Sequence, residues 1–232
     1  MKKKAFTLAE VLITLGIIGV VAALTMPSLI ANYQKQQTIT QLKKAYTTLS
    51  NGFQQMTVDD VLLPPYGDDC SSVTSEEFLN TYIRPYFKVI KTCTEADNNN
   101  CGYPAGFTWL SPDGTYRSMG MYNFGIDDVR AGITLADGTF ILFRHKDSNN
   151  TGCYLNAFID LNGPKAPNTL GKDVFSVLFH DNNTIVPMYF TDTNDITGNE
   201  ITARGCYKGG WGVHCLYKIV SDGWQIKDDY PW

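Results

Sequence analysis

Histidine is scarce in this chain: three in 232 residues, at His145, His180 and His214. No H-E-x-x-H, G-x-S-x-G or phosphate-loop pattern is present, which removes the commonest metalloprotease, hydrolase and nucleotide-binding signatures. His214 stands beside Cys215, but neighbours on a strand face opposite sides, the wrong geometry for a Cys–His dyad. Asp59-Asp60, Asp127-Asp128 and Asp228-Asp229 read as solvated turns rather than acid pairs. The chain therefore reads as a non-enzyme. Positive charge is also short, with 19 Lys and Arg against 23 Asp and Glu, a net −4. Three of those cations are Lys2, Lys3 and Lys4, so the rest carries about −7. A body this acidic argues against nucleic acid as a partner. No C-x-x-C pair occurs, so zinc-ribbon and thioredoxin-like readings fail. There is no internal repeat and no long low-complexity linker.

What is present begins at the N-terminus. From Phe6 to Ile30 there are 25 residues with a single charge, Glu10. At ~1.5 Å per residue that length spans a ~30 Å hydrocarbon core. The preceding lysines predict a cytoplasmic N-terminus and an exported body. Six cysteines all follow the apolar run, at Cys70, Cys93, Cys101, Cys153, Cys206 and Cys215. An even count in an exported body predicts disulfides formed in an oxidising compartment.

Three readings of the apolar run compete. It is a secretory signal with small residues at Val21-Ala22-Ala23 for cleavage, a plain anchor, or a helix retained after removal of a short leader. Glu10 separates them. A carboxylate within an apolar span costs on the order of 2.5–3.5 kcal/mol at the centre, less near the interface. A signal or anchor gains nothing from it. Cleavage between Ala5 and Phe6 would create a cationic α-amine ~6 Å along the helix from Glu10. Between neighbouring staggered helices the two could meet.

The stretch Lys2-Lys3-Lys4-Ala5-Phe6-Thr7-Leu8-Ala9-Glu10-Val11-Leu12-Ile13, continuing to Leu24, resembles the N-terminal signature of type IV pilins and type II secretion pseudopilins. The basic leader corresponds to residues 1–5, the first mature residue to Phe6, the glutamate to Glu10 and a helix-bending proline to Pro27. One departure is Ala5, where the family usually has glycine before the cut. The resemblance implies cleavage by a prepilin peptidase, N-methylation of Phe6, and assembly through Phe6, Glu10 and Pro27. It implies other pilin or pseudopilin subunits and an inner-membrane assembly platform as partners, with the lipid bilayer around the helix before assembly. The implied location is the bacterial inner membrane, single-pass with the head exported, then a periplasmic or extracellular filament. The alternative is a secreted or membrane-anchored binding protein, with an ordinary signal peptide or anchor.

Past the membrane, Ile39, Leu42, Tyr46, Leu49, Phe53 and Met56 recur at spacings of three and four, one apolar stripe of helical period. The expected organisation is a leader at 1–5, a membrane and filament-core helix at 6–30, its amphipathic continuation at 31–56, and a head at 57–232. A helix from Phe6 to Met56 would be ~75 Å long, with a kink or local melting at Pro27. Gly16 and Gly19 thin it for close helix approach. Thr74 and Glu77 form a capping box for a second helix, which Pro85 bends or ends. Lys91–Pro104 reads as a loop. Thr134–Phe143 reads as a hairpin turning at Asp137-Gly138. Tyr154–Leu161, Val174–His180, Ile185–Phe190 and Leu216–Val220 read as strands. The fold class is α+β, a long N-terminal helix on an antiparallel sheet, which is also the pilin fold the resemblance implies.

Within the head, Asp160, Asn162 and Asp173 are oxygen ligands in a Gly- and Pro-bent segment and suit calcium. It is not an EF-hand. No cofactor is required, and calcium is the one candidate; some pseudopilins bind it in a head loop. The other reading is a rigid turn in which Asp160 and Asn162 cap backbone amides. A C-terminal disulfide loop is common in pilins, which pairs Cys206 with Cys215. Cys93 with Cys101 and Cys70 with Cys153 complete one connectivity among many. Trp211, Trp224, Tyr230 and Trp232 crowd the C-terminus, as core or as a surface patch.

Overall fold

A computed structural model describes residues 7–63, 73–94, 98–103, 107–115, 129–148, 152–180, 183–188 and 205–232. The leader 1–5, Phe6, the Pro64–Gly67 turn, Cys70 and the side chains of His145 and Cys153 lie outside what it describes.

Helix α1 runs from Leu8 to Val58, 51 residues. The helix is unbroken at Pro27, so the expected local melting does not occur there. The Thr25 hydroxyl donates to the Val21 carbonyl and the Ser28 hydroxyl to the Thr25 carbonyl around it. Proline removes one N–H from the ladder, and the long apolar turns on either side keep the helix continuous. From Leu8 to Thr38 no residue is buried; from Ile39 on, the stripe goes under the head.

Helix α2, Ser75–Phe78, starts where the capping signal puts it: the Thr74 hydroxyl accepts the Glu77 N–H at 3.2 Å. A π-helical turn at Leu79–Ile83 extends it and stops before Pro85. Strand β1, Val89–Cys93, follows, so the segment expected as a loop from Lys91 opens inside a strand. Then come β2 Val129–Leu135, β3 Phe140–Ser148, β4 Gly152–Asp160, β5 Val174–Phe179 and β6 Ile185–Pro187. They form one antiparallel meander in chain order. The β2–β3 hairpin turns at Asp137-Gly138, with Gly138 at φ +89° and Asp137 accepting the Thr139 N–H at 3.1 Å. That is the left-handed conformation for which an Asp-Gly turn is selected.

Residues alternate across the sheet as the strand period requires. Ile133, Ile141, Phe143, Ala157, Ile159, Phe175, Val177 and Phe179 face the α1 stripe. Phe53 is central there, 4.7 Å between ring centroids from Phe179 and 5.5 Å from Phe87. Each fully buried side chain of this size contributes about 1.5–3 kcal/mol. The other face carries Phe140, Leu142, Phe158 and Val174, covered by Tyr103, Trp109, Leu170, Met188 and Val213. Both faces of the sheet are thus closed, one by a helix and one by loops.

Leu216–Val220 is a correction. The chain forms helix α3 at Cys215–Ser221, not a strand. Leu216 and Ile219 are buried three residues apart, one turn of helix, against the α1 side of the sheet. A short apolar run does not distinguish strand from helix by itself.

Candidate functional site

The helix N-terminus is closed by its own side chains. The Thr7 hydroxyl accepts the Glu10 N–H at 3.2 Å, and Glu10 Oε2 accepts both the Thr7 N–H and the Thr7 hydroxyl at 2.8 Å. This reciprocal capping box satisfies donors that a helix start leaves open, and the T-x-x-E spacing from Thr7 to Glu10 is its signal in the sequence. The carboxylate is therefore held in place by its own helix start. All of Leu12, Ile13, Leu15, Ile17, Ile18, Val20, Leu24 and Leu29 are exposed. An 18-residue window of the helix has mean hydropathy 2.3 and no residue buried in the chain's own fold. An apolar surface of this length needs a bilayer or other helices around it. Gly16 and Gly19 have no atom within 4 Å of where a side chain would begin, so a partner helix can approach closely there.

Helix and head are locked together beyond the neck. Lys44 pairs with Asp137 at 2.8 Å, and the Tyr46 hydroxyl donates to the Ile185 carbonyl at 2.9 Å. At the far end Asn183 accepts the Leu63 N–H at 3.0 Å and donates to the Val61 carbonyl at 2.8 Å.

Asp160 and Asp173 do come together in the head. Asp160 ends β4 and is fully buried; its Oδ2 accepts the Tyr103 hydroxyl at 2.8 Å and the Trp109 ring N–H at 3.2 Å. Its Oδ1 accepts the Asn162 N–H at 3.3 Å. Asp173 accepts the Asn168 and Thr169 N–H groups at 2.8 and 2.6 Å. These bonds make the loop a hydrogen-bonded turn. Burial, and then the charge of Asp173, push Asp160 up to about 8. Burial also raises Asp173. Asn162 Oδ1 and Asn168 Oδ1 are buried with no hydrogen-bond partner. Two carboxylates and two unsatisfied amide oxygens are a hard-cation donor set. Among the described residues no group of three or more His, Cys, Asp or Glu side chains could hold a metal ion. Tyr103 and Trp109 lie 57 and 51 residues from Asp160, so no local signal marks them.

Among the described residues two disulfides are present: Cys93 with Cys101, and Cys206 with Cys215. Cys215 is therefore no thiol, and His214 precedes a helix rather than sharing a strand with it. The Tyr230 hydroxyl donates to the Gly171 carbonyl, Trp224 packs edge-on against Tyr46, and Trp211 leans on the second core. The C-terminal aromatics are mostly packing. Lys218 holds the tail, reaching Asp222 at 3.1 Å and Asp229 at 2.6 Å.

Residues 1–26 match the family described as the prokaryotic N-terminal methylation motif, typical of type IV pilins and type II pseudopilins. The match ends just before Pro27 and does not extend to the head. No curated protein and no solved structure matches the chain at a significant level.

Proposed function

We propose that the chain is a pilin or pseudopilin, a structural subunit of a type IV pilus or type II secretion filament. One observation carries this reading. The methylation motif runs directly into a helix that stays uncovered to Thr38 and then enters an α+β, pilin-like head. In this reading a prepilin peptidase cuts between Ala5 and Phe6, and Phe6 is N-methylated. The subunit waits in the inner membrane with its head exported and is drawn into a filament by the assembly platform. Glu10 meets the Phe6 amine of a neighbour, an ion pair formed where water is excluded and the unpaired charge is most costly. Intact mass and N-terminal sequencing of the protein from its native membrane test this. A start at N-methyl-Phe6 is expected. A start near Leu24 would remove the exposed helix and overturn the filament reading in favour of a secreted binding domain.

A second reading concerns the loop from Asp160 to Asp173. The unpartnered oxygens of Asn162 and Asn168 beside two buried carboxylates favour calcium there. Bound calcium would offset the mutual repulsion of Asp160 and Asp173. Thermal unfolding with calcium and with a chelator tests it: a higher Tm with calcium, abolished in Asp173→Asn, is expected. An identical Tm in both conditions sinks it.

A further inference from the structure

The loop from Asp160 to Asp173 offers too few free oxygens to complete a calcium site alone. Calcium takes about six to eight oxygen ligands. Asp160 Oδ2 already accepts two hydrogen bonds, from Tyr103 and Trp109, and its Oδ1 accepts one from the Asn162 N–H. Each oxygen of Asp173 accepts one backbone N–H. The oxygens with no bond at all are Asn162 Oδ1 and Asn168 Oδ1, and Asn168 is only 9% exposed. Two carboxylates and two amide oxygens fall short of the count. The remaining ligands have to come from whatever faces the loop.

What faces it is the neck of α1. A groove of about 620 Å³ separates the two. Asn162, Lys172 and Asp173 line the loop side, and Gln34, Gln37, Thr38 and Gln41 line the helix side. Gln34, Gln37 and Gln41 stand at i, i+3 and i+7, so they share one flank of the helix. Gln37 and Gln41 bracket Ile39, the first residue of α1 that the head buries. This wall carries no carboxylate; it offers amide and hydroxyl oxygens only. The three glutamines are exposed, and among the described residues no hydrogen bond ties their side chains. Their amide oxygens are thus free to turn toward an ion at the foot of the groove. Side-chain amide oxygens are ordinary calcium ligands.

We propose that calcium in this loop is bound from both sides of the groove, with the side-chain oxygens of Gln37 and Gln41 completing its ligand set. The proposal rests on the calcium reading of the loop and adds the helix to it. Lys172 is the one cation on the lining, and it is half-buried. Its flexible stem carries the ammonium out to solvent when a divalent ion takes the place beside Asp173. The ion then cross-links the head to the neck of α1, so that calcium stiffens the stretch where the helix leaves the head.

The test uses the full chain in detergent micelles, stripped with a chelator and then titrated with calcium. Thermal unfolding reads the head, and amide hydrogen exchange over residues 31–41 reads the neck. In wild type, calcium should raise Tm and slow exchange at 31–41. Gln37→Ala with Gln41→Ala puts a good helix former at two exposed positions, so the ion-free Tm should not move. In that protein the calcium concentration giving half the Tm rise should be several-fold higher, and the slowing at 31–41 should vanish. A double variant that answers calcium as wild type does overturns the proposal, water then filling the remaining ligand positions, and leaves the calcium reading intact. A wild-type Tm rise without slower exchange at 31–41 overturns it in the same way. No Tm change with calcium in wild type fails the calcium reading itself, and the helix ligands fall with it.

Discussion

The Tyr103 hydroxyl donates to Asp160 at 2.8 Å across the second core, and so fixes a carboxylate that is fully buried at the end of β4. That carboxylate titrates near 8 in the folded head, against ~3.9 in an unfolded chain. Between those values the folded state holds the proton and the unfolded state does not. Stability from this group is present at low pH and is lost as pH rises from about 4 to about 8. With a chelator present, the head's Tm should fall across that window. Asp160→Asn should flatten the slope, and an unchanged slope would remove Asp160 as its source.

Glu10→Ala should abolish filament assembly while the head melts at the wild-type temperature, because Glu10 touches nothing in the head. Close interfacial charge pairs measure roughly 1.5–7 kcal/mol. Even ~2 kcal/mol is about 30-fold in subunit affinity, repeated at every contact along a filament. Glu10→Gln keeps the shape of the capping box but not the charge, and should fail as fully as alanine. Assembly rescued by glutamine would show that capping, rather than pairing with an amine, is the need. Electron microscopy of shed filaments gives the readout.

Asn183 sits at φ +58° and ties the end of α1 to the turn before β6. Asn183→Ala strands the Leu63 N–H, at about 1–3 kcal/mol, and adds ~1–2 kcal/mol for a left-handed non-glycine residue. At ~2–4 °C per kcal/mol the head's Tm should drop by several degrees. Asn183→Gly loses the bonds but not the backbone freedom, and should fall between the two. Calorimetry on the three proteins orders them.

Gly171 has φ +81°, and a side chain there would begin 2.6 Å from Cys215 Sγ and 3.2 Å from the Tyr230 hydroxyl. Gly171→Ala should therefore loosen the C-terminal disulfide and the Tyr230 anchor together. Removing the disulfide with Cys206→Ala and Cys215→Ala should cost ~2–3 kcal/mol. In that background Gly171→Ala should cost less than in wild type, since its closest contact, Cys215 Sγ at 2.6 Å, has gone. Denaturant titration of the four proteins closes the cycle, and strict additivity would break the link.

The long helix and its buried stripe were legible because Ile39, Leu42, Leu49, Phe53 and Met56 obey one period over five turns. The hairpin at Asp137-Gly138 was legible because only a few residue pairs tolerate its backbone. The motif at Phe6 and Glu10 was legible because charge inside an apolar run is costly enough to demand a reason. The rest depends on contacts between distant residues. Helix α3 reads as a strand until Leu216 and Ile219 are seen packing on the same core. The side-chain donors on Asp160 come from more than fifty residues away. Thr7 is a local signal, a T-x-x-E spacing with Glu10 that marks the helix start.

The passage of α1 from bare to covered at Ile39 sets how the protein carries load. A pull on the N-terminal half enters the head along the helix axis. The Leu42–Phe53 stripe, the Lys44–Asp137 pair and the Tyr46 bond then resist sliding together. Such a joint is loaded in shear, where many weak contacts share the force, and not peeled open one contact at a time.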